Sequence, residues 1–253
     1  MLGEFLEINV WILLMVMTRI GTILTLIPGF GAGYVTPRFR LGLTFAISFL
    51  LLPVLTPYLP PLPNEPALMF LILAGEVVIG AFLASIASIT VASLQAAGTF
   101  ISYFASLANA LVQDVVVEQQ SSVISGFLST IGIVLIFVTD LHHLVIRAYV
   151  ESYALFVPGR PIMFGDMLEV VARHVADAFA LGLKMASPLL LVAMVYYLSL
   201  GVLGRLMPTL QVFFFGLPVQ IALQIWVLML SLSGIMLVFL QAFYDGYVPF
   251  LGL

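Results

Sequence analysis

The sequence predicts an all-α membrane protein built of helical hairpins, and three observations carry that prediction. Of 253 residues, 63% are hydrophobic and 8% are charged, against roughly 45–50% and about 25% in an ordinary soluble domain. The apolar residues come in long unbroken runs, not in the alternation of a membrane β-barrel. Prolines and glycines cluster between those runs, where they end helices. Eight Lys and Arg against twelve Asp and Glu leave a net charge of −4. So few charges exclude a water-facing globular enzyme, and the missing basic footprint excludes nucleic-acid binding. The absence of cysteine removes disulfides, thiolate nucleophiles and Cys-ligated metal or iron–sulfur centres.

A bilayer core of about 30 Å needs roughly 20 apolar residues in a helix, and the runs are read in that light. Ile8–Ile27 is the first. Its length, and the acidic Glu4 and Glu7 ahead of it, are unlike a secretory leader, so it is expected to remain as the first helix. Pro28-Gly29-Phe30-Gly31-Ala32-Gly33 and Pro37-Arg38-Phe39-Arg40 form a turn, and the two arginines favour a cytoplasmic loop. A second helix covers Leu41 to Leu55. Pro57, Pro60, Pro61, Pro63 and Pro66 then forbid helix interior. A third helix starts near Ala67 and continues past Gln95, polar residues interrupt over Gln113–Ser122, and apolar stretches follow over Val123–Thr139 and Leu141–Phe156. After the turn Pro158-Gly159-Arg160-Pro161, Asp166 with Glu169 has capping-box spacing, which opens a helix to about Leu203. Pro208 and Pro218 bracket a connector before a last helix over Val219–Ala242. The expected total is seven to eight long apolar helices.

Four features could carry function. Gly80, Ala84, Ser88, Ala92 and Ala96 recur every fourth position, a small-residue ridge that lets helix backbones approach closely. It serves either association with other subunits or packing within the chain. Arg19, Glu76 and Lys184 are lone charges in apolar surroundings, costly in a bilayer. A proton or ion relay would use them, but a structural pair between helices, such as Glu76 with Lys184, is the simpler expectation. Asp140, His142, His143, Arg147 and Glu151 form the densest polar cluster. Adjacent helical histidines diverge by about 100°, so no metal or catalytic centre is expected, and His143, Arg147 and Glu151 suit an ion-pair ladder. Asp166, Glu169, Arg173 and Asp177 share a face that is expected to be solvated, and Lys184 extends it. The segment Phe104–Ser122 mixes small, apolar and polar residues. It reads either as a re-entrant, plug-like loop, tolerated at membrane depth only beside protein or a water-filled cavity, or as an exposed turn. No cofactor-binding fingerprint, nucleophile elbow or P-loop is present.

Taken in order, these signposts resemble the FliR/SctT family of type III export-gate subunits. Arg19 with Pro28-Gly29-Phe30-Gly31 and Pro37-Arg38-Phe39-Arg40 resembles the family's opening motif, and Gly75-Glu76 and Gly80 the segment after its Pro-rich loop. Gln95-Ala96-Ala97-Gly98, Ile101-Ser102 and Ala110 with Asp114 resemble the next block. Most telling are Asp140-Leu141-His142-His143-Leu144-Val145-Ile146-Arg147-Ala148 and Leu203-Gly204-Arg205-Leu206-Met207-Pro208, the latter followed by Gly216-Leu217-Pro218. Departures occur at Phe104 and Ser106, where the family usually has Gln and Gly, and at Val115, where it has Pro. Leu141, Gln211 and Gln220 stand for a common Gly, Asn and Lys.

The resemblance implies a multi-pass protein of the bacterial inner membrane and flagellar basal body, without catalysis or cofactor. It implies assembly with FliP and FliQ into a conduit for unfolded flagellar subunits, with FlhB and FlhA at the entrance and membrane lipid around it. Residues 1–163 would be a FliP-like part and 164–253 a FliQ-like hairpin. The pore plug would fall on Phe104, Leu107, Asn109, Leu111, Val112, Asp114 and Val115. The alternative from the residues alone is a secondary transporter or small channel, motivated by Glu76, Lys184 and the Pro/Gly breaks.

Overall fold

The computed structural model describes residues 2–31, 35–106, 111–114, 119–207 and 212–251. Among these are seven α-helices: α1 (Leu2–Leu26), α2 (Pro37–Leu55), α3 (Pro66–Phe104), α4 (Val123–Val138), α5 (Leu141–Leu155), α6 (Phe164–Leu206) and α7 (Val212–Tyr247). Between α3 and α4 lie two short strands, β1 (Leu111–Asp114) and β2 (Gln119–Ser122), paired antiparallel with Leu111 opposite Ser122 and Asp114 opposite Gln119. The fold is thus all-α of membrane type with one small ribbon inserted. Among the described residues, four helices are long and apolar enough to cross a membrane, and α4 with α5, bent by 73° at their break, make a fifth if counted together. Within α1, residues Val10–Leu26 make a shorter apolar stretch. Of the expected seven to eight long apolar helices, four or five are thus long enough to span, because α4 with 16 residues and α5 with 15, meeting at the left-handed Asp140 (φ 59°), are each too short alone.

Prolines set several boundaries, though not all as the sequence implied. Pro37 and Pro66 stand at the first position of α2 and α3, where the missing N–H has no helical partner to lose. The helix α6 begins at Phe164, so Asp166 is not its cap. Asp166 lies in the first turn, where a carboxylate faces the positive end of the helix dipole. Two prolines sit inside helices. Pro188 cannot donate to the Lys184 carbonyl, and the Ser187 hydroxyl donates there instead at 2.7 Å. Pro218 lies within α7 rather than before it; its turn is held from outside by Tyr196, whose hydroxyl donates to the Gly216 carbonyl at 2.6 Å. Membrane helices carry prolines where such neighbours satisfy the backbone.

The chain forms two compact units. The first comprises Met1–Ile89, Ile136–His174 and Phe243–Leu253; the second comprises Thr90–Leu135 and Val175–Ala242. In the first, Val16, Ile20 and Leu24 of α1 form a core with Leu55 and Tyr153. A second cluster joins Trp11, Met15 and Ile72. The Trp11 indole N–H donates to the Pro60 carbonyl at 3.3 Å, which ties the Pro-rich loop to α1. In the second unit, α3 and α4 touch at Gly98, where an added Cβ would lie 2.4 Å from the Ser125 Cα. Ser122 caps α4 there, its hydroxyl accepting from the Ser125 N–H at 3.1 Å. The Ser125 hydroxyl donates to the Gln95 carbonyl at 3.0 Å.

Candidate functional site

The first unit holds a buried charge network centred on Arg19 of α1. Its guanidinium is bidentate on Glu76 of α3, with Nε 2.6 Å from Oε2 and Nη2 3.0 Å from Oε1. Nη1 donates to the Ser152 hydroxyl at 3.1 Å, and Nη2 also donates to the Phe156 carbonyl at 2.9 Å. The Ser152 hydroxyl donates in turn to the Tyr149 carbonyl at 2.6 Å. The guanidinium lies over the Tyr153 ring, 3.8 Å from its centroid, a cation–π contact. Arg19 is 0% and Glu76 1% exposed. A buried ion pair persists only with good geometry and hydrogen bonds for the remaining donors, and α5 supplies them. Phe156 is the C-cap of α5, so Arg19 also satisfies a carbonyl that a helix end leaves open. One side chain therefore joins α1, α3 and the end of α5.

This pairing corrects the expected partner of Glu76. Lys184 is exposed on α6, while Arg19 occupies both carboxylate oxygens. Helical spacing could not choose between two cations in different helices. Asp140, His143 and Arg147 are likewise not buried charges. Asp140 is 76% and His143 69% exposed, and they face each other at 3.4 Å; Arg147, 65% exposed, pairs with Glu151 at 2.7 Å. The ladder therefore runs from Arg147 to Glu151 only, because His143 turns back toward Asp140. Asp166, Glu169, Arg173 and Asp177 are all exposed, with Arg173 paired to Glu169.

The sequence reading missed a second buried contact in this unit. The Tyr247 hydroxyl donates to the Leu83 carbonyl at 3.2 Å and lies 3.2 Å from the Tyr149 hydroxyl. A hydroxyl has one proton, so Tyr149 donates to Tyr247. Buried tyrosines usually find a hydrogen-bond partner, and two in apolar runs, Tyr149 and Tyr247, were the available signal.

The small-residue ridge serves two neighbours in turn. At Gly80, an added Cβ would lie 2.8 Å from the Arg19 carbonyl, so α1 and α3 meet backbone to backbone. Ala84 is fully buried, and the Ser88 hydroxyl donates to the Leu26 carbonyl at 2.9 Å. Ala92 is exposed and Ala96 half-buried, the latter 3.0 Å from where a Cβ on Gly182 of α6 would lie. Gly80 and Ser88 are thus committed to packing within the chain.

Of the expected plug, Leu107, Asn109 and Val115 lie outside the described residues, and Leu111, Val112 and Asp114 fall on β1. The base of the segment is held by a polar latch. Gln220 of α7 donates through Nε2 to the Phe104 carbonyl at 2.8 Å and to the Tyr197 hydroxyl at 2.7 Å. Tyr197 in turn lies 3.1 Å from the Ser106 hydroxyl. Beside it is an apolar cavity of about 430 Å³ lined by Phe104, Leu190, Ala193, Met194, Tyr197 and Leu198. Among the described residues, the side chains able to converge on a metal ion are Asp140, His142 and His143, with donor atoms within 4.8 Å of one another. The divergence expected of adjacent helical histidines does not keep the two rings apart, since their centroids lie 4.0 Å from each other.

Comparison with known proteins decides what such a scaffold belongs to. The pattern of the bacterial export proteins, family 1, matches residues 10–246. The flagellar biosynthetic protein FliR of Caulobacter vibrioides is 33% identical over 230 residues, 91% of this chain and 92% of the relative. The chain belongs to the family 1 bacterial export proteins. Within this family it is also similar to FliR of Bacillus subtilis, 27% identical over 91% of the chain and 89% of the relative. The secretion system apparatus protein SsaT of Salmonella typhimurium is 22% identical over 76% of the chain and 77% of the relative. The matched span includes Arg19, Glu76, Ser152 and the Asp140 turn, and it stops one residue short of Tyr247.

Proposed function

We propose that this chain is a membrane-embedded wall subunit of a flagellar type III export gate and that it performs no reaction of its own. It is a component of a flagellar type III protein-export apparatus, with protein partners in that system. The observation that carries this is the similarity to FliR proteins over about nine-tenths of both chains, joined by a secretion system apparatus relative. In the finer reading, it joins FliP and FliQ in the bacterial inner membrane, at the flagellar basal body. FlhB and FlhA sit at the entrance, and unfolded flagellar subunits pass through. Residues 1–163 correspond to a FliP-like part and 164–253 to a FliQ-like hairpin, with the segment from Phe104 to Ser122 as the plug. The exposed apolar faces of α6 and α7, including Phe179, Leu191, Val195, Trp226, Met229 and Leu237, support burial against lipid or sibling chains, since large exposed apolar patches mark such contacts.

The transporter alternative loses the charge pair that motivated it beside the Pro/Gly breaks. Glu76 is held by Arg19 and Lys184 lies exposed, so the two charges do not form a relay together. The test is affinity capture of this chain from detergent-solubilised membranes, together with motility of a strain lacking it. Retrieval of FliP and FliQ and loss of motility are expected. A chain that purifies alone and drives substrate flux in proteoliposomes overturns the reading.

A further inference from the structure

We propose that Asp140, His142 and His143, at the corner between α4 and α5, form a binding site for a borderline divalent transition-metal ion of the zinc type. One donor atom from each residue lies within 4.8 Å of the others, although the residues belong to one short turn. The turn is unusual. Asp140 is a non-glycine residue at φ 59°, and its carboxylate makes no cap bond to the N–H groups of α5, the ordinary task of an aspartate at this position. The carboxylate faces His143 instead, with Oδ1 3.4 Å from Nδ1. That separation is long for a charge-assisted hydrogen bond, which sits near 2.7–2.9 Å. It fits two ligands of one tetrahedral ion, which bonds of about 2.0–2.1 Å place about 3.3–3.4 Å apart.

His142 supplies an independent observation. Its Nδ1 is buried and has no hydrogen-bond partner, a state that costs the full desolvation of that nitrogen. Its ring lies 4.0 Å from that of His143, centroid to centroid, and 5.3 Å from the ring of Phe137. A metal ion is a partner that would satisfy this nitrogen. Two imidazoles with one carboxylate suit zinc, cobalt, nickel or copper, whereas magnesium and calcium prefer all-oxygen shells. A three-ligand set leaves a fourth position open to water. The nearest arginine along α5, Arg147, is engaged by Glu151 at 2.7 Å. With the ion bound, the Asp140 turn becomes a closed chelate at the start of α5. The proposal stands independently of the export role.

The test uses the full chain in detergent, purified through a tag without histidine and stripped with EDTA. Co²⁺ is titrated by its visible absorption, and Zn²⁺ by competition. Saturation at one ion per chain is expected. Asp140→Asn, His142→Gln and His143→Gln should each weaken binding by at least the roughly 10–100-fold that loss of an outer-sphere partner costs. His174→Gln, which changes the third histidine of the chain, should bind as the parent does. If His142→Gln does not fold, Asp140→Asn decides the matter, because that carboxylate is exposed and its loss leaves the helices packed. Absence of saturable Co²⁺ binding, binding unchanged in Asp140→Asn and His143→Gln, or equal loss in His174→Gln overturns the proposal.

Discussion

Arg19 shows how one residue can be indispensable without being a net source of stability. Removing one member of a buried ion pair strands the other and costs about 3–5 kcal/mol, whereas replacing both with apolar groups is often neutral. Arg19→Met or Glu76→Gln alone should therefore lower the thermal midpoint of the purified chain sharply, and Arg19→Met with Glu76→Met should recover most of it. A double variant as damaged as either single one would show that the hydrogen bonds to Ser152 and Phe156 dominate. The tyrosine pair gives a directional prediction. Tyr247→Phe leaves the buried Tyr149 hydroxyl without its acceptor and should cost about 1–3 kcal/mol. Tyr149→Phe leaves the bond from Tyr247 to Leu83 intact and should cost less, as thermal melts of the two variants would show. Arg19 and Glu76 were legible as costly charges, but their partnership was not, since pairing across 57 residues depends on how α1 and α3 cross.

At the scale of elements, glycines sort by what approaches them. A Cβ at Gly98 would collide with the backbone of α4 at 2.4 Å, while one at Gly42 meets nothing within 4 Å. Gly98→Ala should destabilise the chain by about 1–3 kcal/mol or more through overpacking. Gly42→Ala, inside α2, should stabilise it by about 0.5–1 kcal/mol through helix propensity. Matched thermal melts distinguish the two. Helix positions were readable because apolar runs and proline clusters are local signals, and α3 continued past Gln95 to Phe104. The ends were harder. Asp166 looks like a cap by spacing, yet α6 starts two residues earlier, and Pro218 looks like a terminator, yet α7 absorbs it with help from Tyr196. Side-chain bonds from another helix carry no trace in local sequence. The ribbon of β1 and β2 was equally hidden, as its polar segment lacks the alternation that marks a strand.

At the scale of the whole molecule, the export reading predicts a seal. Shortening the segment between Phe104 and Ser122 should raise ion conductance of the assembled gate above background, with FliP and FliQ still co-purifying. Background conductance in an intact assembly would remove the plug role. The two compact units do not follow sequence order, since the first is assembled from three separate stretches; composition and periodicity carry no information about such returns. The length of α3 has a wider consequence. Its 39 residues include a single ionisable carboxylate and no basic side chain, and at 1.5 Å per residue they extend about 58 Å, nearly twice the roughly 30 Å of lipid hydrocarbon. Even at the steepest usual tilt of about 40°, the rod overshoots the oily layer, and the overshoot has almost no charge with which to meet water. Leu83, Ile86, Leu94, Ala97 and Ile101 already bury one face of it in this chain's own protein, and the export reading predicts that sibling chains cover what remains.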